Sequence, residues 1–252
     1  MPVDLNSDMG ESYGVYAIGA DDEILRWVTS ANVACGFHAG DPQVMLETVR
    51  EATARGVAIG AHPGYPDLMG FGRRELDASP SEVTAYVIYQ IGALQACCAA
   101  ARTRLRYVKP HGALYNRAVR HLPTARAITE AILSVDPRLV LLCLAGTEWL
   151  AEARRAGLTV AAEAFIDRNY EPDGTLTPRS EPDAVLNDPE SCAERAVRMV
   201  TDGIVMARDG STLSLRPDSL CAHGDGATAQ ALLATVRRRL TAAGVTIEAF
   251  AP

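Results

Sequence analysis

Residues Asp41–Asp67, DPQVMLETVREATARGVAIGAHPGYPD, contain one complete repeat of the pattern on which the fold turns. Asp41-Pro42 opens a helical segment reaching Arg55, and Gly56 follows it. An acidic cap, a proline in the first turn and a glycine past the end are helix start and stop signals. Ala58–Ala61 is then a short apolar run, the length of a buried parallel strand, and it gives way to the polar turn His62-Pro63-Gly64.

The same alternation recurs outward in both directions. Strands are expected near Val3–Asn6, Ala31–Cys35, Ala58–Ala61, Tyr107–Lys109, Leu139–Leu144, Val160–Phe165 and Leu220–Ala222. Helices are expected over Asp41–Arg55, Ser81–Arg102 (capped by Ser79 or Ser81), Leu122–Val135, Thr147–Ala156, Asp188–Thr201 and Ala227–Ala243. This is the signature of parallel strands joined by crossover helices, and it predicts one α/β domain over residues 1–252. Two stretches break the pattern: a proline-rich segment from Tyr170 to Pro189, and a hairpin over Ile204–Leu215 turning at Asp209-Gly210. Periodicity alone fits either a closed barrel or an open doubly wound sheet. Polar residues at the C-terminal ends of many strands favour the barrel, where such ends share one mouth.

A chain of 252 residues, 48% hydrophobic, can bury a full core. Its net charge of −7, without a long basic run, argues against nucleic acid and against an anionic membrane surface. The start, MPVDLNSDMGE, places acids where a secretory signal carries basic residues, so a cytoplasmic location is expected. Val83–Ala101 is apolar enough to raise the question of a membrane span. Gln90 and Gln95 interrupt it, however, and Val83, Val87, Ile91, Leu94 and Cys98 recur at helical spacing, which predicts a helix packed on the barrel. The six cysteines form no CxxC pair and read mostly as small buried hydrophobes.

Four of the five histidines stand just after an expected strand: His38 in NVACGFHAGD, His62 in GAHPGYPD, His111 in YVKPHGALYN and His223 in LCAHGD. Asp4, Asn6, Asp8 and Glu11 lie at or past the first strand, and Glu163, Asp167 and Arg168 at or past the sixth. One histidine beside glycine is ordinarily a loop or core residue; four at the same topological point indicate a shared site. His121, opening a helix, reads as surface. Lys109 is the only lysine against 23 arginines, and it sits at a strand end two residues before His111. A compact ammonium there suits neutralisation of charge developing on a substrate oxygen or phosphate. In MGFGRRE, Arg73 and Arg74 follow two glycines and can close over an anion, as can Arg179 in LTPRS; an ordinary solvated loop explains them as well.

There is no GxxxxGK[ST] phosphate loop, no GxSxG elbow and no HExxH metal signature. Ligands from separate strands can still hold a divalent ion, with Asp8, His38, His62 and His111 as the candidates. The same groups can act as acid and base without one.

Taken together and in order, DLNSDMGE, NVACGFHAGDP, GAHPGYPD, GFGRRE, YVKPHGALYN and LCAHGD resemble the LamB/YcsF family of bacterial 5-oxoprolinase A subunits. The resemblance runs from the first strand to the last helix. It implies a seven-stranded β/α barrel similar to the glycoside hydrolase/deacetylase fold. It also implies ATP-dependent opening of 5-oxo-L-proline to L-glutamate, with ATP hydrolysed to ADP and phosphate, in a complex with subunits B and C. In that scheme ATP is a co-substrate, and phosphorylation of the ring oxygen precedes opening. The family attaches ATP binding to this component of the complex, yet nothing in this sequence places a nucleotide site, and the missing phosphate loop assigns much of the ATP chemistry to B and C.

On this reading Asp8, His38, His62 and Glu163 are candidates for the general base, while Lys109 and His111 stabilise the departing charge. Asn6, Glu11, Arg73, Arg74, Tyr115, Arg168, Arg179, His223 and Asp225 are the expected substrate contacts. Two rivals stay open: a metal-dependent deacetylase or other carbohydrate-active hydrolase on the same barrel, and a non-catalytic subunit that binds a small molecule.

Overall fold

In the computed structural model, which describes residues 2–222 and 229–251, the first strand, β1 (Pro2–Met9), alternates in composition along its length. Val3, Leu5 and Met9 are buried in the outer apolar core. Asp4, Asn6 and Asp8 point the other way, into a polar interior. This inversion, apolar outside and polar inside, is what a small barrel wrapped in helices requires of a strand that also carries function.

The chain continues through a short helix α1 (Asp21–Ile24), β2 (Ser30–Ala34), α2 (Pro42–Ala54), β3 (Ala58–His62), a 3₁₀ turn (Leu68–Gly70), α3 (Pro80–Ala100) and β4 (Tyr107–Val108). It then runs through α4 (Gly112–Arg120), α5 (Leu122–Val135), β5 (Val140–Leu144), α6 (Glu148–Arg155), β6 (Val160–Phe165) and α7 (Pro189–Thr201). The hairpin β7 (Ile204–Met206) and β8 (Thr212–Ser214), then β9 (Ser219–Cys221), α8 (Ala229–Ala242) and β10 (Thr246–Ile247), complete it. Strands β1, β2, β3, β4, β5, β6 and β9 pair in parallel in that order, and β9 returns to β1, closing a ring of seven. The expected barrel is therefore what forms, and the open sheet is excluded. β10 adds to β1 outside the ring, and among the described residues β7 and β8 pair only with each other, as the Asp209-Gly210 turn predicts.

The helices begin where their caps dictate. Asp41 accepts from the amides of Gln43 and Val44, and Ser79 with Glu82 forms a capping box at the start of α3. Caps of this kind contribute about 1 kcal/mol each. By length and composition α3 could cross a membrane, yet Val83, Val87, Ile91, Leu94 and Cys98 turn inward on the barrel. Gln90, on the same face, clamps the backbone of Gly64 from both sides, donating to its carbonyl and accepting from its amide, both at 2.9 Å. Five of the six cysteines are buried, and all six are free.

Opposite the strand C-termini the barrel is plugged. Tyr107, Leu142 and Ala161 pack with Ala251, and Phe250 stacks edge-on against Tyr107 with ring centroids 5.0 Å apart. Gly60 makes room for this: a Cβ there would lie 2.1 Å from the Tyr107 ring.

Candidate active site

Above the plug the interior is a column of hydrogen-bonded polar side chains. At its base, Asp4 accepts from Ser30 and Thr29, each at 2.6 Å, and from Ser219. Burial pushes its carboxyl up to about 6 against the pull of those hydroxyls. One layer higher, Asn32 donates to Asn6 and to Asp8, both at 2.8 Å, while Tyr107 donates to Asn32 at 2.7 Å and Asn6 donates to Ser219.

Lys109 rises from the end of β4 into this column. Its ammonium lies 2.8 Å from Glu163 Oε1, 3.1 Å from Asp8 Oδ1 and 3.2 Å from Asn6 Oδ1. Burial opposes its charge, but the carboxylates of Asp8 and Glu163 prevail and hold its pKa well above the usual lysine range. Tyr115, placed by the first turn of α4, donates to the other oxygen of Glu163 at 2.8 Å.

The histidines form the next layer. His38 and His111 stack nearly parallel, 2° apart, with centroids 3.7 Å from each other, and His62 meets both edge-on. His62 Nε2 is 3.0 Å from His111 Nδ1 and 3.3 Å from Asp8 Oδ2. Glu11 Oε1 lies 3.3 Å from His38 Nε2 and 3.5 Å from His111 Nδ1. Burial, with neighbouring imidazoles second, pushes His38 and His111 well below the ordinary histidine range, so both rings are neutral near pH 7. Glu11, His38, His62 and His111 bring ligand atoms within 4.8 Å of one another. Neutral imidazoles beside a carboxylate are a donor set that fits a divalent ion. Glu11 joins the three expected histidines, while Asp8 keeps one oxygen 3.3 Å from His62 Nε2 and the other on Lys109.

Gly72 is required by this packing. Its φ is +63°, and a Cβ would lie 2.7 Å from His38 Cβ and 2.8 Å from His111 Cδ2. The GFG turn therefore folds against the histidines, and Phe71, itself in a left-handed conformation at φ 54°, turns its carbonyl onto His111 Nε2 at 2.8 Å.

A cavity of about 240 Å³ opens over Asp8, His62, Lys109 and His111. Its rim carries Arg73, Arg168 and Arg179, with Tyr115, Phe165 and Thr177 among its walls. Arg168 is fixed by donating to the carbonyls of Ala184 and Thr177 at 3.2 and 2.6 Å, and burial followed by the charge of Arg179 draws its pKa down to about 10. The proline-rich segment thus becomes a wall of the cavity. Arg74 turns away to pair with Asp67, with Nε donating at 3.0 Å, and does not line the cavity. His223 and Asp225 lie outside the described residues. Asn32 and Tyr107 join the interior beyond the expected residues; the alternation Ser30-Ala31-Asn32-Val33 carries the signal for Asn32, polar residues inward and apolar outward.

Fold and site together define a closed parallel β/α barrel with a lysine–carboxylate interior beneath a histidine-lined mouth. The chain belongs to the LamB/YcsF family, whose family model matches residues 3–252. It is 53% identical over 247 residues to the 5-oxoprolinase A subunit of Pyrococcus furiosus, covering 98% of this chain and 97% of that one. It is 54% identical over 248 residues to the 5-oxoprolinase A subunit of Mycobacterium avium, covering 98% of each chain. The crystal structure of the lactam utilization protein from Thermus thermophilus has a TM-score of 0.93 and 54% identity, covering 99% of this chain and 100% of that one. A family 4 carbohydrate esterase from Streptomyces lividans, 13% identical, covers 100% of this chain and 93% of its own with a TM-score of 0.51, a likeness of fold alone.

Proposed function

We propose that this chain is the lactam-binding, ring-opening subunit of an ATP-dependent 5-oxoprolinase, working in the cytoplasm with subunits B and C. One observation carries the reading: a small cavity with Lys109, His62 and Asp8 on its floor and Arg73, Arg168 and Arg179 among its lining residues. 5-Oxoproline is a small ring with one carboxylate. Arg73, Arg168 and Arg179 suit that carboxylate, and a phosphate on the activated ring oxygen, through charge-assisted hydrogen bonds. The lactam carbonyl then faces Lys109.

An amide opens slowly at neutral pH, and phosphorylation of its oxygen by ATP makes the carbon electrophilic. Water adds to that carbon, with Asp8, on the cavity floor, accepting its proton. The ring C–N bond breaks as the nitrogen gains a proton, and a second water releases phosphate from the acyl phosphate to leave glutamate. Lys109 offsets the negative charge on oxygen in a site largely shielded from water, where an ion is worth most. B and C carry much of the ATP chemistry. Val15, Tyr16 and Met69 stand exposed on loops that follow β1 and β3, on the mouth side, which suits a face covered by a partner.

The test is glutamate formation from 5-oxoproline and ATP with this chain alone, with B and C alone, and with all three. Product from the three together and from neither part supports the reading; no product from folded, assembled subunits rejects it.

A further inference from the structure

His62 and His111 each have one ring nitrogen fixed by a backbone carbonyl. His62 Nδ1 is 2.7 Å from the Lys109 carbonyl, and His111 Nε2 is 2.8 Å from the Phe71 carbonyl. A carbonyl oxygen only accepts, so each of those nitrogens carries the ring proton. The remaining nitrogens, His62 Nε2 and His111 Nδ1, then present lone pairs. These face each other at 3.0 Å.

Two acceptors at that distance repel. Their other neighbours make matters worse: Asp8 Oδ2 lies 3.3 Å from His62 Nε2, and Glu11 Oε1 lies 3.5 Å from His111 Nδ1 and 3.3 Å from His38 Nε2. The arrangement converges ring lone pairs and carboxylate oxygens on one buried point, where a cation would be held by several donors at once. We propose that this point binds one divalent transition-metal ion, held by His62 Nε2, His111 Nδ1 and Glu11 Oε1.

Three further features agree. A separation of 3.0 Å is close to that of adjacent ligand atoms each about 2.1 Å from a metal. Histidine ligands are ordinarily oriented by a carbonyl or carboxylate on the far nitrogen, as Lys109 O and Phe71 O do here. Two imidazoles with a carboxylate select zinc, cobalt, nickel or iron over magnesium and calcium. Asp8 bridges the ion site to Lys109, so the ion would lie at the edge of the substrate cavity. The ion site follows from ring geometry and stands apart from the lactam reading.

The test uses the full chain without a histidine tag, freed of metal by chelation. Cobalt(II) is titrated while visible absorption is followed, zinc binding is measured by calorimetry, and thermal unfolding is recorded with and without zinc. One ion per chain, a cobalt spectrum showing nitrogen ligation and a raised unfolding temperature are expected. His62→Gln and His111→Gln should each weaken binding at least about 100-fold, while Arg74→Ala, outside the cluster, should leave it unchanged. Absence of stoichiometric binding to the wild-type chain, or binding that survives both glutamine variants, overturns the proposal. Neither result depends on glutamate formation, so loss of one reading leaves the other standing.

Discussion

The ammonium of Lys109 lies 2.8 Å from Oε1 of Glu163, with neither side chain more than 2% exposed. Asp8 completes the set at 3.1 Å, so one cation answers two carboxylates in the barrel interior. Lys109→Met leaves those carboxylates without it, and we expect a loss of about 3 to 5 kcal/mol in urea unfolding. Lys109→Arg keeps the charge but not the compact shape. Glutamate formation by the assembled enzyme should fall at least about 100-fold in this variant, and full activity would remove Lys109 from the mechanism.

Asp4 gives the barrel base a pH dependence of definite sign. Its folded-state pKa is raised from 3.8 to about 6, so the folded state favours the protonated form. That contribution is complete below the unfolded pKa and is lost as pH rises through about 6, a fall of about 3 kcal/mol. Denaturant unfolding between pH 4 and pH 7 should show the decline as a difference between wild type and Asp4→Asn; parallel profiles would refute it.

The rim arginines should act on binding more than on chemistry. Arg179→Ala is expected to raise KM for 5-oxoproline about tenfold or more with little change in kcat. An equal fall in kcat and kcat/KM would instead assign Arg179 to the transition state.

At Gly72 the limit is space as well as backbone conformation. Gly72→Ala forces a methyl group against His38 and His111 at a positive φ, and we expect it to cost about 1 to 3 kcal/mol. Proton resonances of the histidine rings should shift in the same variant. A wild-type unfolding temperature would show that the turn can move away.

Exposed Val15 and Met69 test the docking of partners. Val15→Asp and Met69→Asp should weaken assembly with B and C, seen by size-exclusion chromatography, without altering the stability of the free chain. Unchanged assembly in the double variant would place the interface elsewhere.

Strand ends and their histidines are legible in the sequence because an abrupt change from apolar to polar marks where a parallel strand leaves the core. Val160–Phe165 matches β6 residue for residue. The helix Gly112–Arg120 is hidden, since it starts directly at His111 without a capping side chain. The entry of Glu11 into the histidine cluster is hidden too, since it depends on how the chain turns after β1. The carbonyls of Lys109 and Phe71 that fix the imidazole tautomers belong to the backbone and leave no mark in the residue types. Arg74 shows the reverse error: the same residue type as Arg73, one position on, serves Asp67 instead of the cavity.

The plug of Phe250 and Ala251 against Tyr107 has a bearing on traffic. The plug closes the end of the barrel away from the histidines, and the cavity over Asp8, His62 and Lys109 opens at the other end. A substrate that enters there leaves its product by the same mouth. A partner seated over the histidine end would therefore act as a valve, opening once in each catalytic cycle, and the speed of that opening would cap the rate of the whole assembly however fast the ring is cleaved.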